Sequence, residues 1–116
     1  MDEREKILTE NFEEYFHLGN LAFREEKYNS ATTLYFKAIS ALFDLYLFRH
    51  TGSTPSSHTH RFRILEKSFP KLYLIADRDF PFYQDSYTHR MSKEAAEVLR
   101  EDAYTIKEMA KVISKQ

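Results

Sequence analysis

The chain contains no cysteine. That excludes disulfide frameworks, thiol nucleophiles and cysteine-based zinc sites together. Glycine and proline are scarce, at two and three in 116 residues. A many-stranded sandwich or barrel turns about every 8–12 residues, and its turns draw on those two residue types. An all-β fold has too few of them here. No charge of one sign dominates: 17 Lys and Arg stand against 18 Asp and Glu, a formal net charge of −1. No global field points to nucleic acid or to a membrane surface. A long apolar run is also missing. The most apolar stretch, residues 34–48, is interrupted by Lys37, Ser40 and Asp44, whereas a bilayer span needs about 20 apolar residues. The opening residues 1–16 are acidic and mixed, unlike an export signal. The expectation is a cytoplasmic protein with no membrane partner.

What is present suits one folded domain over residues 1–116, with 42% hydrophobic and 30% charged residues. The patterning is helical. A first helix is expected over residues 2–26, with Asp2 as N-cap and Glu5 as its third-position partner. Leu8, Phe12, Tyr15, Phe16, Gly19, Ala22 and Phe23 recur at threes and fours and make one apolar face. A short break follows, with Asn29 as N-cap of a second helix over residues 30–50. That helix is apolar nearly all round: twelve of the fifteen residues 34–48 are apolar or aromatic. A helix without a wide polar face must be covered on most sides. A small bundle does not easily bury every side of one member, so the outer edge of the second helix predicts a homodimer contact.

Residues 51–57 read as a loop, with Ser56 or Ser57 capping the next helix. Phe62, Leu65, Phe69, Leu72 and Ala76 keep helical spacing. Pro70 either opens a restarted helix or kinks a continuous one. Residues 79–85 hold Pro81 among aromatics and predict a bend or loop. A last helix runs from near Ser92 to about Ser114 on a stripe of Ala95, Leu99, Ala103, Ile106, Ala110 and Ile113. Together these predict an all-α fold: an antiparallel up-and-down four-helix bundle with a broken or kinked third helix.

Charge is uneven along this frame. No acid falls in residues 45–65, which hold Arg49, His50, His58, His60, Arg61 and Arg63. Guanidinium and imidazole groups around a helix–loop–helix junction suit phosphate, because Arg forks bind it bidentately and a helix N-terminus attracts anions. The plainer alternative is a solvated loop complementing the negative end of the second helix. His58-Thr59-His60 has the wrong spacing for a metal pair on a helix. No metal or cofactor is expected. Acid–base cleavage of RNA would need a His beside cations, and His60 with Arg61 or His89 with Arg90 would be the candidates. Tyr83, Tyr87 and Tyr104 have the chemistry to stack on a base.

Two resemblances follow from these residues. Tyr15, Leu18-Gly19, Ala22, Tyr28, Ala31, Tyr35 and Ala38 are spaced as in a tetratricopeptide hairpin, although nothing after residue 50 repeats the pattern. Over about residues 8–114 the chain resembles the HEPN family of small all-α proteins. The likeness is carried by the acidic opening helix closing on Glu26-Lys27-Tyr28 and by Ala31, Tyr35 and Leu42 of the second helix. It continues in Ser57-His58-Thr59-His60-Arg61, in Asp85-Ser86-Tyr87, and in the Glu94-Ala95-Ala96-Glu97 opening of the last helix. The resemblance implies the fold, dimerisation, a nucleotide or RNA context and a nucleotidyltransferase partner. It offers Thr59-His60-Arg61 as a binding element. Active ribonucleases of that family carry an Arg followed after four to six residues by His, and this chain has no such spacing. The expectation is a non-catalytic binding protein. The alternatives are a ribonuclease with a rearranged site, using His60 or His89, and a peptide-binding adaptor built on the tetratricopeptide-like hairpin.

Overall fold

The computed structural model describes the backbone of residues 2–114 and the side chains of residues 2–110. Its order is α1 (Glu3–Arg24), α2 (Tyr28–Thr51), α3 (His58–Ser68), α4 (Pro70–Asp85) and α5 (Lys93–Ser114). No strand occurs among the described residues. The all-α expectation therefore holds.

Local chemistry sets each boundary. Asp2 caps α1 by accepting from the Arg4 N–H at 2.7 Å. The helix ends at Arg24 rather than 26, because Glu26 turns left-handed at φ 60°. The Glu26 N–H then donates to the Phe23 carbonyl and the Lys27 N–H to the Ala22 carbonyl. That is a Schellman closure with glutamate in the place glycine usually takes. Gly52, at φ 79°, closes α2 in the same left-handed region. Ser57 caps α3 by accepting from the His60 N–H at 3.1 Å, and Ser92 caps α5 by accepting from the Ala95 N–H at 3.0 Å. Pro70 opens a restarted helix, where its missing N–H costs nothing. Phe69 alone separates α3 from α4.

Two boundary expectations are corrected. Asn29 does not cap α2; it lies inside its first turn, and Lys27 stands at the cap without a side-chain bond. The Asn29 amide is used at long range instead. Its Nδ2 donates to the carbonyls of Ser86 and His89, and its Oδ1 accepts from the Met91 N–H. One side chain thus clamps the α4–α5 connection. The bend expected over residues 79–85 is absent, since α4 runs through Pro81. Proline removes the bond to the Asp77 carbonyl, at a position where both residues are exposed.

α2 is the axis of the molecule. It packs along α1 and α5 and against α4, while α3 folds onto α4. Tyr35, Phe36, Ile39, Phe43 and Leu47 are fully buried along it, and Leu65, Leu72, Leu99 and Ile106 close over them from the other helices. Gly19 sits at the α1–α2 crossing, where a Cβ would come within 2.8 Å of the Tyr35 ring. The expected stripe of α5 is buried from Ala95 to Ala110, and Ile113 lies outside the described side chains.

The expected apolar outer edge of α2 is half-covered. Within α2 the exposed residues are Ser30, Lys37, His50 and Thr51, while Leu34, Tyr46 and Phe48 are half-buried. The surface-facing large apolar side chains lie elsewhere, on α1 (Ile7, Leu18, Leu21), α4 (Leu74) and α5 (Val98, Tyr104). The edge expected to pair two copies through α2 thus comes down to half-buried side chains. α1 and α5 pack along most of α2, and Phe80 and Tyr83 of α4 cover Phe36. No helix among the described residues is long and apolar enough to cross a membrane.

Candidate functional site

The polar strip of α2 (Lys37, Ser40 and Asp44) faces the first turn of α3, where His58 and Arg61 stand three residues apart on one side. Arg61 spans the gap. Its Nε donates to Asp44 Oδ1 at 2.7 Å and its Nη2 to Oδ2 at 2.9 Å. The two side chains are only 12% and 15% exposed, so the fork is largely sheltered from water and well oriented. The third guanidinium nitrogen, Nη1, meets His58 Nδ1 at 2.9 Å. A guanidinium only donates, so Nδ1 accepts and the neutral ring carries its proton on Nε2. Burial, with the Arg61 and Lys37 charges, pulls the His58 pKa below the usual histidine value, against the Asp44 carboxylate. The imidazole is uncharged at neutral pH, and its ring leans on Phe36, Phe80 and Tyr83.

These groups open onto a cavity of about 230 Å³ between α1, α2, α3 and α4. Asn11 and Tyr15 of α1 form the facing wall. Lys37 Nζ lies 6.0 Å from the centre of the Tyr83 ring and has no carboxylate partner among the described residues. Ser40 Oγ is buried without a hydrogen-bond partner. The Tyr83 hydroxyl meets that of Tyr87 at 2.9 Å. Burial, then Tyr87, push its pKa up to about 12, so it remains a donor. The charges sum simply. Arg61 neutralises Asp44, His58 is neutral, and Lys37 is left as one uncompensated cation beside a flat ring and unfilled hydroxyl bonding capacity.

The six residues read from the sequence are not one cluster. His58 and Arg61 meet in this cleft. Arg49 lies elsewhere on α2, donating to the Ala110 carbonyl at 3.0 Å and standing 3.7 Å from Glu5. His50 stacks on Tyr46 and meets Phe69 edge-on. His60 Nδ1 accepts from the Ser56 N–H and serves the α3 turn. Arg63 is exposed on α3. His89 sits beside the Thr88 hydroxyl and 3.9 Å from Asp85. Lys37, Ser40 and Asp44 escaped the sequence reading as site residues, because they stood out only as interruptions of an apolar run. Their spacing of three and four was the signal.

A second polar cluster ties α4 to α5. Arg78 Nη2 donates to Asp102 at 2.6 Å and its Nε to Asp79 at 3.3 Å. Asp79 is wholly buried, and its Oδ2 has no partner. Burial, then the neighbouring Asp102, push its pKa up to about 8 against the pull of Arg78. Among the described residues no three of His, Asp and Glu gather in a way that would hold a metal ion. Compared with family models, curated proteins and solved structures, the chain matches none.

Proposed function

We propose that the chain is a non-catalytic, HEPN-like helical protein that binds a phosphate of a nucleotide or of RNA in the α2–α3 cleft, in the company of a nucleotidyltransferase. One observation carries the reading: Lys37 is an exposed, uncompensated cation at the α2–α3 cleft, beside the Tyr83 ring and near the unpartnered Ser40 hydroxyl. A phosphate would compensate Lys37, and a base or sugar would lie against the Tyr83 ring. With α3 and α4 taken as one arm broken at Phe69, the helices are compatible with the four-arm scheme of the resemblance. The histidines favour binding over turnover. His60 and His89 are engaged in local turns outside the cleft, and the Nδ1 of His58 is occupied by Arg61.

Arg61 is a poor probe of this reading. Removing it would strand Asp44 in a half-buried wall, at a cost of about 3 kcal/mol to the fold. Lys37 is exposed and pairs with no acid, so Lys37→Ala tests binding alone. The variant is expected to melt like the wild type and to bind a 5′-phosphorylated oligoribonucleotide about tenfold more weakly at low salt, or 1.4 kcal/mol. Its log–log salt slope should be shallower by about 0.7, one single-strand phosphate contact. Unchanged affinity and slope would refute the assignment.

A further inference from the structure

A second groove lies on another side of the molecule, between the last turns of α1 and the middle of α5. It measures about 510 Å³ and is lined by Asn20, Phe23 and Arg24 from α1 and by Arg100, Glu101 and Tyr104 from α5. We infer that this groove is a binding site for a small planar organic anion, a ring bearing a carboxylate or a phosphate monoester. The proposal does not depend on the α2–α3 reading.

The lining is rich in donors and poor in acceptors. The Tyr35 hydroxyl, at the edge of the core, donates to Asn20 Oδ1 at 2.7 Å. The acceptor of that amide is thereby used, and Nδ2 is left with no partner among the described residues. Arg100 is held in place with its Cζ 4.5 Å from the centre of the Phe23 ring. Arg24 has no carboxylate partner among the described residues. The single acid of the lining, Glu101, is 69% exposed and 3.8 Å from Arg100, a contact too solvated to neutralise it. Two guanidinium groups thus face one loosely held carboxylate.

Packing accounts for Arg100 over Phe23. It does not account for Arg24, the Asn20 Nδ2 and Tyr104 facing one groove together. Tyr104 supplies the flat surface. Its ring is 47% exposed and is braced edge-on by Phe16 at 5.0 Å. Arg24, Arg100 and Tyr104 line the groove together with Asn20, which holds the Tyr35 hydroxyl. An anionic head between the guanidinium groups, with its ring on Tyr104, would use every unfilled donor.

The test is an NMR titration of the full chain with adenosine 5′-monophosphate, benzoate and inorganic phosphate, read at the Asn20 side-chain amide. At least one organic anion is expected to saturate at millimolar concentration, and which one does so distinguishes a phosphate monoester from a carboxylate. Arg24→Gln should weaken that ligand about tenfold. Tyr104→Ala should weaken it while leaving inorganic phosphate unchanged. Lys37→Ala, in the other cleft, should have no effect. The proposal is overturned if neither organic anion moves the Asn20 amide. It is also overturned if Lys37→Ala abolishes the response while Arg24→Gln leaves it intact.

Discussion

Asp79 is a carboxyl group in the wrong medium. It is fully buried between α4 and α5, its Oδ2 is unpartnered, and burial with Asp102 holds its pKa near 8. The native state therefore binds a proton that the unfolded chain releases near pH 4. By linkage, this stabilising contribution is complete below about pH 4 and is lost as the pH rises toward 8. Asp79→Asn keeps the shape of the protonated acid and removes its titration. Wild type and variant should thus diverge with rising pH, by up to about 1.4 kcal/mol per pH unit across that window. The variant should be the more stable at pH 8. Urea melts of both proteins from pH 5 to 9 measure this, and parallel curves would show that Asp79 is ionised throughout.

At the scale of elements, the hairpin of α1 and α2 depends on what is missing at Gly19. A methyl group there would sit 2.8 Å from the Tyr35 ring, which is buried and anchored through its hydroxyl to Asn20. Alanine normally improves a helix interior by about 1 kcal/mol over glycine. At this crossing the displaced ring should cost more, so Gly19→Ala is expected to lower stability by about 1–2 kcal/mol net. A melting temperature at or above that of the wild type would contradict the crossing. Helix positions were readable from the sequence because caps and stripes are local: Asp2, Ser57, Pro70 and Ser92 act where their types predict. Asn29 and Pro81 were misread for the opposite reason. Asn29 is a favourable cap residue whose amide is claimed by a connection distant in sequence. Pro81 is a helix breaker that lies, with the Asp77 whose carbonyl it orphans, on an exposed part of α4.

The whole molecule explains why the candidate site was only partly legible. A basic stretch in the sequence gathers Arg49, His50, His58, His60, Arg61 and Arg63, but they fall on two helices, α2 and α3, each of which distributes them around its axis. Only His58 and Arg61 reach the cleft, where the Asp44 fork makes Arg61 a structural member first. The cation left to meet a ligand is Lys37, set within an apolar run that reads as core. Coverage of α2 by α1, α4 and α5 builds both features, since it hides the apolar faces and leaves its polar strip as the floor of a cleft. The most direct measurement is a two-dimensional amide NMR map of the full chain titrated with a short unstructured 5′-phosphorylated RNA. Perturbations centred on Lys37, Ser40, His58 and Arg61 are expected, disappearing in Lys37→Ala; a map centred elsewhere, or one unchanged by that substitution, would contradict phosphate binding in the α2–α3 cleft.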